Sequence, residues 1–236
     1  MAVRQILIAA WLAAVSLSWI KTGVTHWPSE PAKSALSFAY RRDGSDDSVD
    51  QTVVIRNTNR ESVVPVLAFT ALGENGEPLP GVHVRTVFGS DGGRLVVPYG
   101  LGLDILRFSG AGEDQVYDVR VTVRRVAAAK SRTGAYPLTV QELDGAGRAV
   151  SRFTRFEAVR VTNVNPYPVT ARVACLVYDR PADDETQQAV SVTPVGGLVV
   201  VPGGGSAVVK VTGAAATAVA RHSGGPAVSV KAYDSQ

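Results

Sequence analysis

An all-β chain made of two tandem antiparallel sandwiches is the fold this sequence predicts, on three observations. Val, Thr, Gly and Ala are abundant while long runs of Leu, Glu and Lys are missing, a bias toward strands and turns. Stretches of period-two apolar alternation recur along the 236 residues, separated by clusters of Gly, Pro, Asn and Asp. The pattern also occurs twice. Val54 to Leu72 reads VIRNTNRESVVPVLAFTAL and Val159 to Asp179 reads VRVTNVNPYPVTARVACLVYD, each a short apolar strand, an Asn-x-Asn break and a longer alternating strand.

The duplication runs through both halves in preserved order, which chance similarity between β-rich stretches rarely gives. LSFAYRRDG (Leu36 to Gly44) answers LTVQELDG (Leu138 to Gly145), an alternating strand ended by Asp-Gly. QTVVIRNTN matches FEAVRVTNVN, VVPVLAFTAL matches VTARVACLVYD, LVVPYG matches LVVVPGG, and DILRFSG matches VVKVTG. Each copy closes on an alternating strand, VYDVRVTV and AVSVKAY. Turn residues at Asn75-Gly76, Asp91-Gly92-Gly93, Asp144-Gly145 and Gly203-Gly204-Gly205 supply the positive φ angles that tight turns need. About seven strands per copy at this spacing predict antiparallel sandwiches of immunoglobulin type. The boundaries read as 35–127 for the first sandwich, 128–135 (AAKSRTGA) for a linker and 136–236 for the second.

Ahead of them, residues 1–34 combine an apolar segment, expected to be helical, with a Pro-containing spacer. From Gln5 to Ile20 there is no charge, with Arg4 before and Lys21 after. As a helix this run reaches roughly 24 Å, short of a hydrocarbon core of about 30 Å. Trp11, Trp19 and snorkelling Arg4 and Lys21 cover part of the difference. A cleaved signal peptide, an uncleaved signal-anchor and a helix packed inside an assembly all fit, and the bulky Trp19-Ile20 pair speaks against cleavage there.

The second copy resembles bacterial extracytoplasmic Ig-like sandwich domains of the FxLYD-like kind. The resemblance rests on VTNVNPYPV, the strand ending LVYD, and LVVVPGGGSAVVKV, with Tyr178-Asp179 and Pro202-Gly203 at its key positions. It covers residues 136–236, and 35–127 more loosely, because the first copy carries Ala71-Leu72 and Pro98-Tyr99 there. The resemblance implies attachment or interaction rather than chemistry.

No residue set assembles into a catalytic motif, so no enzymatic activity and no cofactor are expected. His26, His83 and His222 have neither a nucleophile-elbow context nor metal-ligand spacing, and His83 should face solvent between Val82 and Val84. Cys175, the single cysteine, should point with Val173 and Val177 into the core as a structural thiol. The acidic clusters Asp43, Asp46, Asp47, Asp50 and Asp179, Asp183, Asp184, Glu185 read as solvated turns, with Ca²⁺ binding the alternative. The glycine runs at Gly100-Leu101-Gly102 and Gly203 to Gly205 lie between strands and read as turns rather than phosphate loops.

The most suggestive feature is electrostatic. Net charge is only +3, yet Arg120, Arg124, Arg125, Lys130, Arg132, Arg148, Arg152 and Arg155 crowd the junction between the copies, followed by Arg160. Solvated strand faces account for them; the sharper reading is a surface for an anionic partner, whether lipid, wall polymer or an acidic protein patch. Nucleic acid is not expected, since no aromatic residues are interleaved for stacking. The expectation is therefore a non-enzymatic binding or structural module displayed outside a membrane through residues 5–20, secreted or anchored, binding a protein or an anionic surface and open to homo-oligomerisation. Its alternative is a structural subunit of a large assembly, such as a virion or surface appendage, with the apolar N-terminus packed between subunits.

Overall fold

The computed structural model describes residues 33–42, 51–130, 136–151, 154–178, 189–222 and 228–236. The expected N-terminal helix, both acidic clusters and most of the linker lie outside the described residues. The first half contains β1 (Leu36–Arg41), β2 (Thr52–Asn57), β3 (Val63–Leu72), β4 (Val82–Thr86), β5 (Gly100–Gly110) and β6 (Asp118–Ala128). The second contains β7 (Thr139–Leu143), β8 (Ala158–Asn163), β9 (Val169–Tyr178), β10 (Ala189–Val201), β11 (Gly205–Lys210) and β12 (Val228–Asp234). Every pairing among the described strands is antiparallel, which fits the all-β expectation. Among the described residues one α-helix interrupts the pattern, α1 (Gly213–His222) between β11 and β12. Its sequence GAAATAVARH is rich in the best helix former, and Ala215 and Val219, four apart, bury one face in the second half's core.

The sheets of the two halves follow matching strand orders. In the first half the orders are β1-β2-β5-β4 and β3-β6; in the second they are β7-β8-β11 and β10-β9-β12. The first, second and fifth strands of each half therefore share one sheet, and the third and last share the other. Only the fourth strand differs: β4 pairs with β5, whereas β10 crosses to pair with β9.

The Asn-x-Asn break turns out to be the same buried clamp built twice. Asn57 Nδ2 donates to the carbonyls of Glu61 (3.0 Å), Val97 (3.3 Å) and Pro98 (3.0 Å). Its Oδ1 accepts from the backbone N–H (2.9 Å) and side-chain amide (2.8 Å) of Asn59. Asn163 repeats this with Tyr167 (2.9 Å), Val201 (3.3 Å), Pro202 (3.2 Å) and Asn165 (3.0 and 2.8 Å). Both side chains are buried, at 1% and 0% exposure. An Asn amide donates from one end and accepts at the other, so it ties the turn to the neighbouring segment in a way an acceptor-only Asp carboxylate cannot. The clamp also fixes the residue correspondence between the halves, with Val97-Pro98 matching Val201-Pro202.

Each half has an apolar cluster of its own, around Leu106 and Phe108 in the first and around Val159, Val173 and Val201 in the second. A third cluster spans both, joining Ile55, Phe88, Leu95, Val97 and Ile105 to Leu176, Tyr178 and Ala189. The rings of Phe88 and Tyr233 stack across the junction at 4.4 Å. Backbone bonding crosses it too. The segment Arg94 to Val97 exchanges bonds with Val63 of β3 on one side (2.9 and 2.7 Å). On its other side Val96 N–H donates to Asp234 (3.1 Å) and Gln236 N–H to Arg94 (3.4 Å). A hydrogen-bonded strip thus runs β6, β3, residues 94–97, β12, β9, β10 through both halves.

Two outcomes follow for stability. Asn57→Ala and Asn163→Ala each remove the side-chain bonds that tie the turn to the Val97-Pro98 or Val201-Pro202 segment, and chemical denaturation should show each costing about 2–3 kcal/mol. Leu176→Ala opens a cavity in the shared cluster and should cost about 3 kcal/mol. It should also split a single unfolding transition, followed by fluorescence and calorimetry, into two.

Candidate functional site

At the junction the chain places one deeply buried acid. Pairing of Val53 with Asp104 turns the Asp104 side chain inward from β5, where it has 0% exposure. Its Oδ1 accepts the N–H of Phe88 (2.7 Å) and of Ile105 (2.8 Å), and Oδ2 accepts the N–H of Ser90 (3.0 Å). Burial pushes its carboxyl up from 3.8 to about 6, with the N–H donors of Phe88, Ser90 and Ile105 pulling the other way. Asp104 therefore fastens the loop that carries Phe88, and Phe88 meets Tyr233 of the other half. Tyr233 is itself pushed up to about 12, by burial first and then by the charge of Asp104.

Beside this contact lies an open cleft of about 420 Å³, formed by both halves. One wall comes from Val54, Leu95, Val96, Pro98, Leu101 and Leu103, the other from Tyr136, Pro137, Leu138 and the end of β12. Leu101 and Leu103 stand outward because Gly100 and Gly102 take the alternate positions of the strand. A Cβ on Gly102 would come within 2.8 Å of Val97 Cγ1, so glycine lets the strand lie close there. Asn165, the second residue of the clamp, binds the backbone of Tyr136 from both sides (2.9 and 3.1 Å) and so sets the other wall. Leu101 and Tyr136 remain 67% and 63% exposed. From sequence alone Gly100-Leu101-Gly102 reads as a turn and Leu138 as the start of a strand, with no cleft between them. The signal was present in the alternation GLGLD, where two leucines share a face that no polar residue interrupts.

The basic residues divide. Arg120, Arg124 and Arg125 are exposed along β6, with a bulge at Arg124 that shifts the register against β3. Lys130 lies just beyond, its N–H donating to Gln236 Oε1 (2.9 Å). Arg148 sits instead in the turn after β7, where it is paired with Asp144 (2.8 Å) and helps hold that carboxyl below its usual range. Arg155 is exposed before β8, and Arg132 and Arg152 lie outside the described residues. β6 belongs to the first half, whereas Arg148 and Arg155 lie between β7 and β8 of the second, so three of the eight share one strand.

His83 is exposed on β4, and the side chain of His222, like His26, lies outside the described residues. Cys175 packs with Val173 in the second half's core, and burial, with a smaller contribution from Glu142, pushes its thiol up to about 11. Gly100 and Gly102 belong to β5 rather than a turn, while Gly203 and Gly204 do form one. A Cβ at Gly203 would lie 2.5 Å from the Pro166 carbonyl carbon. Among the described residues no group of three or more His, Cys, Asp or Glu side chains gathers as a metal would require. No described helix is long and apolar enough to cross a membrane.

Asp104 gives a pH signature. A carboxyl whose folded value lies above its unfolded one stabilises the fold fully below about pH 3.8, and that contribution is lost as pH rises through about 6. The shift corresponds to roughly 3 kcal/mol. Denaturation of wild type and Asp104→Asn near pH 4 and near pH 7 should show the wild type losing about that much relative to the variant.

No family model, curated protein or solved structure matches this chain.

Proposed function

We propose that the chain is a non-enzymatic binding or structural module, two immunoglobulin-like sandwiches fused side by side and displayed outside a membrane by its apolar leader. The immunoglobulin-like reading is supported by the strand arrangement, with first, second and fifth strands in one sheet and third and last in the other. The observation that carries the binding reading is the junction cleft. Two halves locked by a shared core hold Leu101, Leu103 and Tyr136 open to solvent around it, an apolar surface that its neighbours leave uncovered.

A second reading, subunit of an assembly, draws on one comparison between the halves. Val96 is 2% exposed because the second half covers it, while its counterpart Val200 is 63% exposed on β10. Leu198 and Val208 are also exposed, at 47% and 55%. The second half thus carries an uncovered version of the surface by which the first half is joined to it.

Fractionation of cells expressing the full chain separates the readings. Display predicts recovery with membranes and cleavage of both halves by protease added outside. Soluble protein sedimenting as large particles favours assembly, and a soluble monomer overturns both. The double variant Leu101→Asp, Leu103→Asp should shift the unfolding free energy by less than about 1 kcal/mol. It should abolish the binding of a hydrophobic reporter dye at the cleft.

A further inference from the structure

We propose that the open edge of β6 accepts an extended polypeptide strand in which acidic and apolar residues alternate. The proposal rests on the binding reading above and names a partner chemistry at a surface away from the cleft. Among the described residues β6 pairs with β3 alone, so the other edge of an eleven-residue strand presents main-chain donors and acceptors in a row.

The molecule itself shows what such an edge accommodates. β12 holds the place in the second half that β6 holds in the first, last in order and paired with the third strand. Its outer edge is occupied by Arg94 to Val96, an extended segment bonded through Asp234 and Gln236. The matching edge of β6 pairs with no described strand, although β1 of the other sheet packs near β6.

Side chains on β6 specify the incoming strand. On the inward row Val121 and Val123, with Phe38 and Phe69, pack against the core yet remain only partly buried, so the next strand's inward residues should be apolar. On the outward row Arg120, Thr122 and Arg124 are exposed, with Arg125 beside the bulge. None of these arginines forms an ion pair among the described residues, so a strand laid alongside should carry carboxylates on that face. A second β6 is disfavoured as the occupant, because antiparallel self-pairing sets arginine rows against each other. An anionic lipid surface would engage the arginines and leave the main-chain groups unpaired.

The test uses the full chain and three probes. The first is a peptide of about eight alternating Glu and Val residues, the length of a typical strand. The second is the same peptide N-methylated at alternate residues, and the third is vesicles of phosphatidylserine and phosphatidylcholine. Strand addition predicts that the first peptide slows hydrogen exchange across Val119 to Ala128 by at least roughly tenfold, while the N-methylated one does not. Arg120→Glu, Arg124→Glu and Arg125→Glu together should weaken its binding at least roughly tenfold with an unchanged unfolding midpoint. Equal binding of both peptides, vesicle binding without protection of β6, or no protection at millimolar peptide would each overturn the proposal. Those outcomes leave the fractionation result standing, so this edge and the broader binding reading fail separately.

Discussion

Burial of β9 on both faces is the constraint that organises this molecule. One face of the strand, Ala171, Val173 and Cys175, fills the second half's own core. The other, Leu176 and Tyr178, enters the cluster shared with the first half. A strand with one wet face alternates apolar and polar residues, whereas one enclosed on both sides becomes a continuous apolar run. That is why VACLVY, unlike its counterpart LAFTAL, carries no polar residue. Because Leu176 and Tyr178 have no exposed alternative, the halves cannot separate without uncovering them.

Most of what the duplication implied could be read from residues alone. Asn57 and Asn163 stand at the same place in matching strings, and the same turn needs the same amide at both. Alternation marked LSFAYR and VSVKAY as strands, and Cys175 as inward, because a sheet face is a local property of the chain. Non-local properties were hidden. Nothing in VACLVY says whether protein or lipid covers its second face, because the residues that cover it, Phe88 and Leu95 among them, are far away in the chain. Asp104 looked like any strand residue, since its burial depends on three N–H groups, two of them from a loop more than a dozen residues away. GAAATAVARH was missed as a helix because small residues give only a weak amphipathic signal.

The basic residues illustrate the same limit in another way. As a string, eight arginines and lysines between 120 and 155 look like one patch. In space, strand pairing sends Arg120, Arg124 and Arg125 to one sheet, and the hairpin claims Arg148 for Asp144. At the positions of Leu176 and Tyr233, strand correspondence puts Thr70 and Arg125 in the first half. The face that is sticky in one half is therefore wet in the other. Repeat architectures place polar residues on the outer side of a terminal unit in the same way.

Residues 94–97 have a mechanical consequence. This segment is tied to β3 on one flank and to Asp234 and Gln236 on the other, so the final strand is stitched into the first half rather than trailing from the second. A pull applied at Gln236 reaches that short central segment directly, through the bonds of Val96 with Asp234 and of Gln236 with Arg94. The load falls on the bonds of that short central segment, which must rupture before the halves can be drawn apart.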